Sequence, residues 1–177
     1  MLLLAFLGNP GKKYDKTRHN IGFIVGKYIA NELKVSQLKN QFSGECSLTS
    51  FTGRECLLLF PQTFMNLSGQ SIAKAMDYYN ISPSELIVVH DDLELSFADV
   101  RTKFGGGHKG HNGLRSIIQE TGSPDFHRVR FGIGRPSNPQ ISVADYVLSN
   151  FTKEEMDKIE EVLPAIYKTV ESLISKI

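Results

Sequence analysis

Apolar and polar positions along this chain follow two rhythms. Apolar runs rich in branched side chains occupy 2–7, 46–51, 55–60, 86–90, 98–104 and 128–134, and each predicts a strand. Spacings of three and four link Ile21, Val25, Ile29 and Leu33, then Ile72, Ala75, Met76 and Tyr79, and more briefly Leu114, Ile117 and Ile118. These predict helices. The longest stripe is carboxy-terminal and runs through Met156, Ile159, Leu163, Ile166, Val170, Leu173 and Ile177. Thr152 with Glu155 three places on predicts a capping box at its start, and Pro164 within it predicts a kink. The runs 46–51 and 55–60 are joined by Thr52-Gly53-Arg54, a hairpin connection. Strands alternating with helices, plus this antiparallel pair, predict an α/β sandwich with a mixed sheet.

Size and composition narrow the picture. A chain of 177 residues fits one domain that buries roughly two-thirds of its unfolded surface. With 41% hydrophobic and 22% charged residues it has the make-up of an ordinary globular protein. No apolar run approaches the roughly 20 residues that span a bilayer. The start, Met1 to Leu7, has no basic lead and stops at Gly8-Asn9-Pro10-Gly11, so a buried strand and a turn are expected rather than a secretion signal. Cys46 and Cys56 lack CxxC spacing, which argues against a disulfide framework or a cysteine zinc site. Both are expected in neighbouring strands as small apolar residues, and the cytoplasm is the expected location. A net charge of +1 excludes a globally basic nucleic-acid binder. Local patches remain at Lys12, Lys13, Lys16 and Arg18, at Lys103, Lys109 and Arg115, and at Arg128, Arg130 and Arg135. Several of these must converge on one face to grip phosphate; otherwise they are solvated surface charge.

The candidate chemistry lies in short polar segments where strands are expected to end. In open α/β sheets ligands sit beyond the carboxyl ends of the strands. Asn9, Asn66, Asp91 and the Gly105–Gly110 loop follow the runs 2–7, 55–60, 86–90 and 98–104, so four loops are expected to line one cleft. His19 stands in a polar turn before the first helix, and a neutral imidazole there suits a general base. It requires a carboxylate to fix its tautomer, and His90-Asp91-Asp92 offers two that spacing does not separate. Asn66 and Asn112 each stand where a helix begins and, taken singly, read as caps. Together with Asn9 their amides suit neutral groups, such as peptide carbonyls, ribose hydroxyls or an oxyanion. A helix start beside Asn112 further favours negative charge. The glycine loop is no P-loop, since His111 and Asn112 stand where Lys and Ser or Thr are needed; Gly132-Ile133-Gly134 likewise fails the dinucleotide fingerprint at Ser137. A mobile lid or a close backbone approach to a ligand fits the glycines better. His108 and His111 with Asp91 and Asp92 have no recognised zinc spacing.

At these residues the chain resembles the bacterial peptidyl-tRNA hydrolase family over essentially its whole length. The resemblance rests on LGNPGKKYDKTRHNIGF (7–23), PQTFMNLSG (61–69), HDDLEL (90–95), GGGHKGHNGLRS (105–116), FHRVRFGIGRP (126–136) and DYVLSNF (145–151), in the family's order and spacing. It implies hydrolysis of the ester joining a peptide to the 3′-terminal ribose of tRNA, which recycles tRNA from peptides dropped by ribosomes. It also implies a monomeric, single-domain α/β/α sandwich around a mixed, mostly parallel twisted sheet, with no metal and no cofactor. By position, His19 resembles the catalytic base and Asp91 the carboxylate orienting it. Asn9 and Asn66 resemble residues that hold substrate and attacking water, and Asn112 the residue contacting peptide backbone and intermediate. His111 resembles its neighbour in the gate loop, while Tyr14 and Met65 fall at positions lining the cleft. Lys103 and Arg130 match basic residues gripping tRNA phosphate, particularly at the 5′ end. Two departures stand out: Phe64 replaces a frequent Tyr, and Ser96-Phe97-Ala98-Asp99 replaces a turn usually holding Pro and Gly. A non-catalytic RNA-binding module would need only the basic patches, and a nucleoside or nucleotide hydrolase would show a ribose or phosphate signature that is missing here.

Overall fold

A computed structural model describes residues 1–177. The strands are β1 (Leu2–Phe6), β2 (Lys39–Gln41), β3 (Gly44–Phe51), β4 (Arg54–Pro61), β5 (Leu86–Asp92), β6 (Val100–Phe104) and β7 (His127–Gly132). The helices are α1 (Ile21–Glu32), α2 (Ser68–Tyr79), α3 (Asn112–Thr121), α4 (Val143–Val147) and α5 (Lys153–Lys176). One sheet of order β2-β3-β4-β1-β5-β7-β6 joins all seven strands. Its centre, β4-β1-β5-β7, is parallel, and antiparallel strands extend it at both edges.

Every residue of β1 is buried because both faces of the sheet are covered, as expected for a central parallel strand. Leu2, Leu4 and Phe6 belong to one core with α1 and α5, while Leu3, Ala5 and Leu7 belong to the other with α2 and α3. The side-chain period of two thus builds a three-layer sandwich from one apolar run. The β3–β4 hairpin turns through Thr52 and Gly53, both at positive φ, and its strands hold Cys46 and Cys56 as buried free thiols. Burial pushes the Cys56 thiol up to about 12, so it stays neutral and apolar in behaviour. The capping box of α5 forms as expected between Thr152 and Glu155, and the helix continues through Pro164.

Two features differ from the sequence expectation. Asp91 and Asp92 are the last residues of β5 rather than loop residues beyond it; the ladder continues because Asp91 pairs with Phe131 and Asp92 with Gly132. The second difference concerns β6, which runs antiparallel to β7 and pairs Phe104 with His127. The glycine loop therefore leaves from the amino-terminal side of the parallel strands, and its stretch from Gly107 to Asn112 runs back to line the cavity beside Asp91. β2 and α4 are too short to carry a readable period.

Gly22 shows how closely α1 is set against the sheet. A Cβ there would lie 2.4 Å from the Leu7 carbonyl oxygen and 2.6 Å from that of Val89, with backbone on both sides and nothing flexible to yield. Gly22→Ala is therefore expected to cost at least the roughly 1–3 kcal/mol typical of overpacking, read as a lower urea midpoint at unchanged slope. An unchanged midpoint would mean that α1 does not sit this close.

Candidate active site

The turn Arg18–Asn20 enters α1, and its three side chains are buried although two are basic. Asn20 is committed to the loop after β1, accepting from Asn9 N and donating to Asn9 O, each at 2.9 Å. Arg18 reaches Glu155 at 2.9 Å. His19, between them, turns its Nδ1 to Asp91 Oδ2 at 2.8 Å. The other oxygen, Oδ1, meets His111 Nε2 at 2.8 Å. One buried carboxylate at the end of β5 therefore joins imidazoles from 72 residues before and 20 residues after it.

Protonation follows from these contacts. Burial of Asp91 works against its charge, but the His19 and His111 imidazoles and their hydrogen bonds hold the carboxyl well below the usual range. An ionised carboxylate only accepts, so both histidines donate to it. For His111 the assignment is fixed twice, since its Nδ1 accepts from Gly113 N at 3.1 Å and Leu114 N at 3.2 Å. Neutral His19 has its one proton on Nδ1, which leaves Nε2 with a lone pair. Burial also opposes a His19 cation, yet the facing Asp91 charge and hydrogen bond prevail, and its pKa lies above 6.5. His90 is different: burial, then the neighbouring His111, drive it down to about 4. It stays neutral, donates from Nδ1 to the Asp91 carbonyl at 2.8 Å, and stands edge-on to the His111 ring.

Asp92 is occupied elsewhere. Its Oδ2 accepts from Arg130 Nε at 2.8 Å and its Oδ1 from Glu94 N at 2.8 Å, so only Asp91 faces His19. Beside the histidines a cavity of about 290 Å³ opens, lined by His19, His90, Asp91, His111 and Asn112, by Lys103, Lys109, Arg128 and Arg130, and by the apolar side of α4. The basic residues feel one another, and Lys109 is the main cause of a lowered Lys103 pKa. Asn9, Tyr14, Met65 and Asn66 lie outside this cavity on an adjoining wall. Asn9 Oδ1 accepts from Met65 N at 2.7 Å, so its Nδ2 is the group left for a ligand. Met65 Sδ and the His111 ring both abut the Cβ position of Gly113, which joins that wall to the histidines. Tyr14 stands edge-on to Phe64, ring centroids 6.4 Å apart.

Neither Asn66 nor Asn112 caps a helix. Asn66 is exposed in the short turn Met65–Leu67, and the cap of α3 is His111. The amides of Gly113 and Leu114 are consequently taken, and the start of α3 offers a ligand its dipole but not those two donors. Four buried residues escaped assignment from sequence. Arg18 and Asn20 flank His19 in one motif, and His90 adjoins Asp91. Arg128 lies on the same strand face as Arg130, a period-two signal that could have been followed. Its guanidinium donates to the carbonyls of Gly106, Gly107 and Pro124, latching the glycine loop to β7. The departure at Ser96-Phe97-Ala98-Asp99 keeps a tight turn, with Ala98 at φ +66° and the Ala98 and Gly132 amides bonded across it.

The best-gathered donors for a metal ion are His19, Asp91 and His111, within 4.8 Å of one another. Both Asp91 oxygens already accept N–H groups, and His111 Nε2 keeps its proton because Nδ1 caps α3. An ion here would have to break both histidine bonds and the cap.

A three-layer sandwich with a buried imidazole–carboxylate pair and a basic cavity at the carboxyl ends of its parallel strands places the chain among single-domain α/β enzymes. The family model of peptidyl-tRNA hydrolase matches residues 3–177. A peptidyl-tRNA hydrolase of Geotalea uraniireducens is 48% identical over 174 residues, covering 98% of this chain and 90% of the relative. That of Bacillus subtilis is 44% identical over 176 residues, 99% and 93%. The crystal structure of the Acinetobacter baumannii peptidyl-tRNA hydrolase superposes with a TM-score of 0.86 at 37% identity, covering 99% of this chain and 91% of that one. A peptidyl-tRNA hydrolase complexed with N-propanol gives 0.91 at 36%, covering 99% and 89%. This chain belongs to the peptidyl-tRNA hydrolase family, whose reaction is hydrolysis of the ester in peptidyl-tRNA.

Proposed function

We propose that this chain carries out its family's reaction with His19 Nε2 as general base. Nε2 takes a proton from a water, the water oxygen attacks the ester carbonyl, and the ribose 3′-oxygen leaves with the proton from the imidazolium. Asp91 keeps the His19 proton on Nδ1 and balances the cation formed in between. Asn9 Nδ2, Asn66 and Asn112 supply neutral donors to substrate carbonyls and to the oxyanion. Tyr14, Met65 and His111 wall the peptide side. The observation that carries the reading is the 2.8 Å bond between His19 Nδ1 and Asp91, which leaves a lone pair beside a basic cavity. The protein acts as a cytoplasmic monomer without metal or cofactor; no helix is long and apolar enough to cross a membrane.

Incubation with N-blocked aminoacyl-tRNA and with free aminoacyl-tRNA tests this, with and without a chelator. Cleavage of the blocked ester alone, in both conditions, is expected. RNA binding without cleavage, or release of free base from nucleosides, would overturn it.

Lys103 and Arg130 are proposed to hold tRNA phosphate. Arg130 is paired with Asp92 at 2.8 Å, so Lys103 carries more of the free charge. Reversing both charges is expected to raise KM for peptidyl-tRNA more than for a short peptidyl ester, and to flatten the fall of affinity with salt. Equal effects on the two substrates would remove the phosphate contact.

A further inference from the structure

Three successive residues around the base are each tied to a different part of the molecule: Arg18 to Glu155 of α5, His19 to Asp91 of β5, and Asn20 to Asn9 after β1. They form a single 3-10 turn, which has three residues per revolution. Directions set at the first and third residues therefore set the direction of the second. Asn20 holds one side. The other side rests on Arg18, whose burial at 9% relative exposure is costly for a cation unless it is paired and hydrogen-bonded.

Those surroundings are built around it. The Arg18 guanidinium carbon lies 4.7 Å from the Tyr146 ring centroid on α4 and 5.3 Å from that of Phe151. Its Nη1 donates to Glu155 Oε1 at 2.9 Å, and the same oxygen accepts from Thr152 N in the capping box of α5. The backbone repeats the tie: Arg18 N donates to Ser149 O at 3.0 Å, Phe151 N donates to Lys16 O at 2.9 Å, and Thr17 bridges Asn150. The α4–α5 junction is thus bolted to the turn of His19, and α4 itself lines the cavity through Val143, Ala144 and Val147.

We propose that Arg18 is a positioning residue for His19, holding the imidazole on Asp91 by anchoring its turn to Glu155 and to the rings of Tyr146 and Phe151. The inference rests on His19 being the base. Displacement of a reacting group by about 1 Å costs on the order of a hundredfold in rate. A loosened turn weakens the His19–Asp91 bond without touching the tRNA side of the cavity. The ionisable groups facing Arg18 are Glu155 from α5 and Tyr146 from α4. Those near His19 are Asp91 from β5 and His111 at the start of α3.

The test uses Arg18→Met, which keeps the apolar stem between the rings, and Glu155→Gln, which keeps the cap acceptor. Arg18→Met is expected to lower kcat roughly 10- to 100-fold, with KM for peptidyl-tRNA within about twofold, since no substrate contact is lost. The acidic limb of kcat should move to lower pH as His19 loses its hold on Asp91. Glu155→Gln should move both in the same direction by less, and the double variant should be no worse than Arg18→Met, because one link is removed once. A purely structural role would lower the melting temperature and the folded fraction without moving the limb. Unchanged kcat, a limb that stays in place, or independent losses in the double variant would each overturn the proposal. If Arg18→Met does not fold, Glu155→Gln alone decides through the same limb. Full turnover in His19→Ala would instead overturn the reading of the base.

Discussion

Replacing His19 by alanine is expected to lower kcat for peptidyl-tRNA by about 10²–10⁴, with KM nearly unchanged. The factor is the contribution of a positioned base, equivalent to about 2.7–5.4 kcal/mol of barrier. Binding should survive because the basic side of the cavity and the Asn9–Met65 wall come from other elements. Residual turnover should remain from the amide donors and from substrate positioning. Single-turnover assays on blocked aminoacyl-tRNA measure the chemical step directly. Full turnover would eliminate His19 as the base, and a rise in KM alone would make it a binding residue.

Asp91→Asn should give the second largest loss, smaller than that of His19→Ala. The carboxylate accepts N–H groups on both oxygens, whereas an amide presents one acceptor and one donor to the same two imidazoles. One histidine must then turn away or change tautomer. Should His19 change, its proton moves to Nε2 and the base is blocked. The variant also makes a pH prediction. As the proposed base His19 acts when deprotonated, so wild-type kcat is expected to rise with pH through a pKa above 6.5. Removing the Asp91 charge leaves burial as the dominant influence, and the limb should move to the acid side of 6.5. The reverse ranking of the two variants, or an unmoved limb, would argue against an orienting carboxylate.

Much of this site was legible in the chain. His19 lies in a motif flanked by Arg and Asn, and one polar turn before an apolar helix is a local signal. The strand run 86–90 ends beside two acids, so a carboxylate at that edge could be foreseen; spacing did not say which, and only the family resemblance pointed to Asp91. Asp92 was removed from contention by Arg130, a partner 38 residues away that spacing does not reveal. That neither asparagine caps a helix was hidden for a related reason. Asn112 has the residue type of an N-cap, but His111 is held over the start of α3 by Asp91 and takes the two amides instead. The glycine loop lines the cavity with Asp91 as its sequence suggested, but the side of the sheet from which it departs was not legible, because a strand run carries no direction. Its orientation follows only from pairing with β7.

By itself, the sequence determined the layers and the candidate groups. Apolar periods of two and near 3.6 are consequences of local backbone geometry, and imidazole, carboxylate and amide chemistry is intrinsic to each side chain. Tertiary structure alone decided how those groups meet. It gave Asp92 to Arg130, put a second imidazole on Asp91, and buried Arg18 and Arg128 at the turn and the loop they hold. The physical reason is that hydrogen-bond partners and pKa directions depend on distances of a few ångströms between residues far apart in the chain, and only the completed packing sets those distances.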